Sequence, residues 1–168
     1  VGPCPEADAV MAVLAHLAPE RIPLHILAPL YRGDDSGAAA MIGESAFHRA
    51  LELLAKAGLI QWGEFDDGAP HVGIHRLVQD IMRARLAAND FADDAAALAV
   101  RCVRFAYDWH SGTLDGQTAN GRWLPHAERV LEFAPKDGEA ARWATWIANF
   151  AGDYHQSRGV LASALAHY

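Results

Sequence analysis

The side chains that could do chemistry are concentrated in residues 66–76. His71 and His75 lie four positions apart, a spacing that would let two imidazoles share a metal ion on a helix. The surrounding "APHVGIHR" (69–76) instead alternates like a strand, and no acid or cysteine completes a ligand set. Asp66 and Asp67 fit a turn rather than a carboxylate pair for acid–base work. These residues therefore predict neither a metal site nor a catalytic site.

Charge and composition narrow the possible functions. The 168 residues can form one domain of ordinary size or two small ones. They carry 21 acidic against 14 basic residues, a net charge of −7, which argues against a nucleic-acid-binding surface. The sequence has no Gly-Lys-Ser/Thr phosphate loop, so we expect the chain to be non-catalytic. Cys4 and Cys102 are too few for a disulfide framework and predict two free thiols.

The predicted location is cytoplasmic. No apolar stretch approaches the roughly 20 residues of a membrane span, and no basic, then apolar signal sequence opens the chain. We therefore expect no membrane association. The chain begins without Met and ends within a helical pattern, so we expect it to be part of a longer protein.

Residues 1–88 are expected to form a winged-helix domain, with a three-helix core and a β-hairpin wing. Helical spacing predicts a first helix ending before Pro19, a second in "RIPLHILAPLY" (21–31) with Pro23 in its first turn, and a third from Glu44 to Gly58. Two short alternating segments around "FDDGAP" predict a hairpin. A fourth helix follows from Arg76. Its predicted inner stripe comprises Leu77, Val78, Ile81, Met82 and Leu86.

Residues 89–168 are expected to be helical throughout. Residues 89–135 are interpreted as a helical bridge that starts with a helix capped by Asn89 or Asp90. A Gly-rich loop is predicted at 110–121, followed by a helix over 123–133 with Pro125 in its first turn. Residues 136–168 are expected to form two helices separated at Gly152–Asp153. The aromatic residues Trp109, Trp123, Trp143 and Trp146 are predicted to pack in the core, and the histidines His16, His48, His110 and His155 to be solvated.

"GIHRLVQDIMR" (73–83) resembles the Met-His-Asp segment in the winged-helix domain of NB-ARC ATPases, a group of STAND signalling NTPases. In that family a strand leads into a helix through Met-His-Asp-Leu-Val, and residues 74–78 stand at those places. The branch with tetratricopeptide repeats commonly reads His-Arg-Leu-Val-Gln, which residues 75–79 match. Two further segments, "LAHLAPERIPLHIL" (14–27) and "WLPHAERVL" (123–131), are similar to the start of the family's winged helix and to its bridge into the repeats.

"GDYHQSRGVLASALAHY" (152–168) resembles the turn and second helix of a tetratricopeptide repeat. Gly152, Asp153, Tyr154, Leu161 and Ala164 fit that pattern. The sequence departs from it at Ser157, where Ala is usual, and in the preceding helix at Ala144, Thr145 and Ala148. The resemblance implies a first, degenerate repeat of an array that continues beyond residue 168.

The family resemblance implies a role for His75. In the family this histidine contacts the β-phosphate of ADP bound in the neighbouring NTPase domain, and one such hydrogen bond is worth about 1.5–3 kcal/mol. The residues alone leave open that His75 only caps or packs at the strand–helix junction. Arg76 replaces the family's Asp and cannot accept the same hydrogen bonds, so it would contact phosphate or a domain surface instead.

The resemblance thus implies a non-catalytic regulatory and protein-interaction module. The winged helix would latch the ADP-bound state, and the helical repeats would sense a protein partner. The fragment would carry no cofactor, the full-length protein would bind ADP or ATP with Mg²⁺, and activation could form a homo-oligomer. Two alternatives remain from the sequence, a DNA-binding winged helix that reads DNA with residues 44–58 and a plain helical-repeat scaffold.

Overall fold

The structure, a computed structural model, describes residues 4–33, 40–108 and 113–160. Within these ranges the chain is mainly α-helical, with one small three-stranded antiparallel sheet. The elements in chain order are α1 (Pro5–Leu14), β1 (Ile22–Pro23), a 3-10 helix (Leu24–Leu27), α2 (Pro29–Arg32), α3 (Glu44–Lys56), β2 (Ile60–Glu64), β3 (Pro70–Ile74), α4 (Arg76–Ala88), α5 (Ala92–Phe105), α6 (Leu114–Leu131) and α7 (Gly138–Ser157).

The predicted hairpin is confirmed. Strands β2 and β3 pair antiparallel from Ile60 opposite Ile74 to Glu64 opposite Pro70. The turn is closed by a hydrogen bond from the N–H of Phe65 to the carbonyl of Ala69, at 2.9 Å. Gly68 adopts φ +79°, a conformation that favours glycine, as an Asp-Gly turn requires.

Strand β1 corrects the prediction of a helix over residues 21–31. Ile22 pairs with Val72 and Pro23 with His71, so β1 adds to the free side of β3 and the sheet order is β1-β3-β2. Pro23 is extended (φ −62°, ψ 135°) and lies on an edge strand, where its missing N–H costs no ladder hydrogen bond. Helical structure begins only after Pro23, in the 3-10 helix and α2.

Helix α3 has the predicted inner stripe, since Phe47, Ala50, Leu51 and Leu54 are buried. The helix ends at Lys56, two residues before the expected stop. Gly58 adopts φ +70°, the left-handed conformation typical of the residue that terminates a helix.

Helix α4 begins where predicted, and the predicted inner stripe is confirmed in part, since Met82 is buried and Val78 and Leu86 pack against the core. Leu77 and Ile81 are 59% and 61% exposed, whereas Gln79 is buried. The amide Nε2 of Gln79 donates to the carbonyls of Leu14 and Leu17, at 2.8 and 2.9 Å. Because the last carbonyls of a helix lack partners within it, Gln79 caps the end of α1. This polar contact turns the apolar residues Leu77 and Ile81 towards solvent.

Helix α5 is not capped by Asn89 or Asp90. Asn89 ends α4, Asp90 takes a left-handed conformation (φ +60°), and the N-cap of α5 is Phe91, whose side chain does not cap. Helical spacing predicts an inner stripe of Phe91, Ala95, Leu98, Cys102, Phe105 and Trp109. Ala95 and Cys102 are buried, whereas Phe91 is 58% exposed and Trp109 lies outside the described residues.

Helix α6 replaces most of the loop predicted at 110–121, because it begins at Leu114. The Thr113 hydroxyl accepts the N–H of Gly116 at 3.1 Å and caps the helix. The buried Asn120 ties this first half to the end of α5, since its side chain exchanges two 3.0 Å hydrogen bonds with the backbone of Asp108. Pro125 consequently lies inside α6, not in a first turn.

Helix α7 contradicts the predicted break at Gly152–Asp153. The helix runs without interruption to Ser157, and Gly152 is buried within it. A two-helix repeat with its turn at 152–154 is therefore absent from the described part of the chain. The last eight residues of the predicted second helix, 161–168, lie outside it.

One hydrophobic core extends through the described residues. It contains Leu14 at the end of α1, Phe47 of α3, Val103 of α5 and Ile147 of α7, among others. Helix α5 packs against both α1 and α7 and so joins the two halves of the chain. The boundaries at residues 88 and 135 stay predictions. None of the described helices is both long enough and apolar enough to cross a lipid bilayer.

Candidate functional site at the start of helix α4

His75 lies between β3 and α4 and is the N-cap residue of α4. Its Nδ1 accepts a hydrogen bond from the N–H of Leu77 at 3.2 Å. A neutral imidazole that accepts through Nδ1 carries its proton on Nε2, so this contact leaves a donor on the other side of the ring. One edge of the imidazole thus caps the helix, as the capping interpretation expects, and the other edge is not used by the cap.

The side chain of His75 is exposed, as the strand alternation predicts. Val72 and Ile74, the preceding residues on the other face, are buried. The ring is not enclosed by apolar side chains, and its Nε2 edge can meet a molecule that approaches the surface.

A cavity of about 330 Å³ adjoins the start of α4. Its wall includes Pro19, Glu20, Gly58, Gln61, His75 and Arg76. The guanidinium of Arg76 and the N-terminal end of the helix dipole favour an anion here, while the carboxylate of Glu20 opposes one. The electrostatic potential in this cavity therefore has contributions of both signs, and the imidazole of His75 lies in its wall.

His71 lies within β3, whereas His75 lies after the strand, at the start of α4. Its imidazole lies half-buried against the backbone of Gly63 and makes an edge contact with Phe65, with ring centroids 4.8 Å apart. The two histidines form no common ligand set, and the described ranges contain no group of three His, Cys, Asp or Glu residues that could hold a metal ion.

A second cavity, of about 560 Å³, lies between the hairpin turn and α6. We call it the arginine cavity, because Arg21, Arg76 and Arg122 line it together with Phe65, Asp66 and His126. Arg122 forms an ion pair with Asp67 at 3.0 Å, and this hydrogen-bonded contact lowers the pKa of the Asp67 carboxyl. This cluster could not be predicted from local patterns, because Arg21, Arg76 and Arg122 are far apart in the sequence and meet only in the fold.

Arg21 has an unusual backbone. Its φ of +52° lies in the left-handed region, which costs a non-glycine residue about 1–3 kcal/mol. The contact with α6 helps to hold this conformation, since the carbonyl of Arg21 lies 3.4 Å from Nε2 of the buried His126.

The comparisons with known proteins identify a family. A family model described as a domain of unknown function (DUF7779) matches residues 3–91, which are 89 of the 168 residues. The chain belongs to the DUF7779 family. No curated protein and no solved structure matches it.

The DUF7779 match covers α1 to α4 and the whole sheet, and it ends at Phe91, just before α5. His75 and Arg76 therefore lie inside the family domain. Arg122 and His126, which complete the arginine cavity, lie outside it.

The remaining histidines of this DUF7779 chain correct the predictions in part. His48 is exposed as expected, and His110 lies outside the described residues. His16 is buried instead, with its Nδ1 2.8 Å from the carbonyl of Ala12, and burial lowers its pKa. His155 is mostly covered and contacts Glu128 at 2.7 Å. Helical spacing could have indicated His16, which follows the buried run of α1.

The tryptophans are mostly structural, as predicted. Trp123 is fully buried and donates its indole N–H to the carbonyl of Val103 at 2.8 Å. Trp143 and Trp146 are half-buried against the core, and Trp109 lies outside the described residues. The thiols of Cys4 and Cys102 are unbridged.

Proposed function

We propose that this chain is a non-catalytic regulatory and protein-interaction module of an NB-ARC/STAND NTPase. In this proposal residues 1–88 form a winged-helix domain that latches an ADP-bound NTPase domain located upstream, which would itself bind ADP or ATP with Mg²⁺. The described helices α5–α7 would carry the contact to a protein partner.

The order of elements supports the winged-helix interpretation. A helix, a short strand, a helical turn, a second core helix and a hairpin follow one another, and β1 pairs with β3 at the sheet edge opposite β2. In such a domain the hairpin is the wing. The exposed Leu77 and Ile81 beside His75 would supply apolar contact area for the NTPase domain.

The observation that carries the proposal is the exposed imidazole of His75 with its Nε2 edge directed away from the cap. That N–H can donate to a phosphate oxygen without breaking the hydrogen bond to Leu77. A hydrogen bond to a charged group contributes about 1.5–3 kcal/mol, so the closed state would be favoured about tenfold or more. Partner binding that separates the domains would remove this bond and release the latch, and the released chains would assemble into a homo-oligomer.

The charge distribution argues against the DNA-binding alternative. The turn of the hairpin exposes Asp66 and Asp67, and the nearby Arg122 is already paired with Asp67. A wing with this charge would be repelled by a phosphate backbone. The plain scaffold differs from the proposal only in lacking the nucleotide switch.

The test separates capping from phosphate contact in the full-length protein. His75→Ser keeps an N-cap acceptor but removes the imidazole N–H, whereas His75→Ala removes both. We expect both variants to retain ADP at least tenfold less well than the wild type during purification and dialysis. His75→Ala alone should lose about 1 kcal/mol of unfolding free energy.

A matched control is His48→Ser, which alters an exposed histidine on α3 away from the site. Wild-type retention of ADP by His75→Ser would reduce His75 to a cap and contradict the proposal. A full-length sequence without a phosphate loop upstream of residue 1 would favour the scaffold.

A further inference from the structure

We propose that the arginine cavity between the hairpin turn and α6 binds a phosphate-type anion, such as a phosphomonoester or a pyrophosphate group. This inference does not rest on the role of His75, which lines the other cavity. Two of its arginines come from the α1–β1 turn and from α4, and the third comes from α6.

Two of the three guanidinium groups have no charged partner. Within the described residues neither Arg21 nor Arg76 forms an ion pair, whereas Arg122 is paired with Asp67. Arginine presents planar, bidentate donors that match phosphate oxygens. An anion in the cavity would therefore supply the partner that Arg21 and Arg76 lack.

The ring of Phe65 holds two of these groups in place. The Cζ atoms of Arg21 and Arg122 lie 4.8 and 3.9 Å from its centroid, so the two guanidinium groups are less than 9 Å apart. Donors fixed before binding lose less conformational entropy when the ligand arrives.

His126 provides the independent sign of an incomplete site. It lies in the cavity wall, is 1% exposed, and its Nδ1 has no hydrogen-bond partner. The other ring nitrogen, Nε2, faces the carbonyl of Arg21 and carries the proton of the neutral ring, so Nδ1 is an acceptor. Buried polar atoms are nearly always satisfied, so this acceptor indicates a missing donor, such as a water molecule bound with the anion or a protonated phosphate oxygen. Arg21, next to this ring, has a strained backbone conformation, and such strain is found most often at functional sites.

Glu20 and Asp66 also line the cavity and limit which anions fit. They oppose a negative charge placed close to them, so the anion must lie towards the guanidinium groups of the three arginines. Their oxygens could accept from the hydroxyl or amino groups of a larger phosphorylated molecule. The same phosphate chemistry can come from a nucleotide or from a phosphorylated side chain.

The experiment is isothermal titration calorimetry on the 168-residue chain at low ionic strength, with pyrophosphate and O-phosphoserine as titrants. We expect pyrophosphate to bind, and to bind more weakly as salt is added. Arg21→Gln and Arg76→Gln should each reduce the affinity at least tenfold. Arg142→Gln, on the exposed face of α7, is the matched control and should change it less than twofold. Thermal unfolding by circular dichroism confirms that each variant is folded.

The relative affinity for the two titrants identifies the source of the phosphate. Preference for pyrophosphate indicates a nucleotide, and preference for O-phosphoserine indicates a modified protein side chain. No binding of either titrant at millimolar concentration would overturn the inference. So would an equal loss in Arg142→Gln, which indicates general charge attraction, or a loss confined to His75→Ser, which places the anion in the other cavity.

Discussion

His126 is a titratable side chain that the fold keeps away from water. Burial lowers its pKa from 6.5 to about 4, although the contact of its Nε2 with the carbonyl of Arg21 favours the charged form. Burial also lowers the pKa of His16, just after α1. Both rings are therefore neutral in the folded protein at pH 7. Sequence reasoning could not find this, because a histidine between Pro125 and Ala127 carries no local sign of burial.

The lowered pKa of His126 predicts acid sensitivity. Between pH 6.5 and about 4 the unfolded chain binds a proton that the folded chain refuses, so stability falls as the pH falls through this window. At pH 5 the loss from this residue is about 2 kcal/mol relative to pH 7. We expect urea unfolding of His126→Gln to show a correspondingly smaller decrease from pH 7 to pH 5. The exposed His48→Gln is the control, and equal decreases in all three proteins would contradict the assignment.

Single residues at the α4 start show which site features a sequence can predict. The exposure of His75 followed from strand alternation, because Val72 and Ile74 had to face the core. The burial of Gln79 did not, since its partners, the carbonyls of Leu14 and Leu17, are more than 60 residues away. The local pattern predicts on which face of an element a residue lies. It does not predict a polar contact between distant elements, which can decide which face of a helix is buried.

Elements were predictable where the periodicity and the stop signal agree. Helix α3 and the β2–β3 hairpin have both a regular apolar pattern and a glycine at the end or turn. Helices α6 and α7 do not, because Gly116, Gly121 and Gly152 lie inside them. The cost of about 1 kcal/mol for glycine in a helix is offset by tertiary contact. At Gly121, for example, a Cβ would come within 2.8 Å of the Tyr154 hydroxyl, so a larger residue there would require the Tyr154 side chain on α7 to move.

Asn120 should be one of the contacts that convert the expected loop into the first half of α6. Its fully buried side chain makes two hydrogen bonds to the backbone of Asp108, and Asn120→Ala would leave both backbone groups short of a partner. We expect a loss of about 2–3 kcal/mol in unfolding free energy, with faster amide exchange in residues 114–120. Asn89→Ala removes an exposed side-chain hydrogen bond to Arg85 and is the control, with less than about 1 kcal/mol expected. Comparable losses in both variants would show that Asn120 does not hold α6.

The whole molecule differs most from its sequence-based division into segments. Residues 1–88 were expected to be a self-contained domain, yet Ala99, Val100 and Val103 of α5 belong to the same core as Leu14 and Ile26. The wing is also tied to α6 by the ion pair between Asp67 and Arg122. Periodicity identifies the apolar face of α5 but not the element that covers it, so the shared core could not be predicted from the sequence.

Because the two halves share one core, a destabilising substitution in one half should also lower the stability of the other. Ile147 is fully buried in α7, and Ile147→Ala should cost about 2–5 kcal/mol. If the described chain unfolds as one cooperative unit, amide exchange should accelerate about 30-fold or more in α1 and α3 as well as in α5–α7. Asn149→Gly, a change at an exposed position of α7, should cost less than about 1 kcal/mol and accelerate exchange proportionately less. Hydrogen exchange measured by mass spectrometry decides the matter, because acceleration confined to α5–α7 in Ile147→Ala would make the boundary near residue 88 a real division between two folding units.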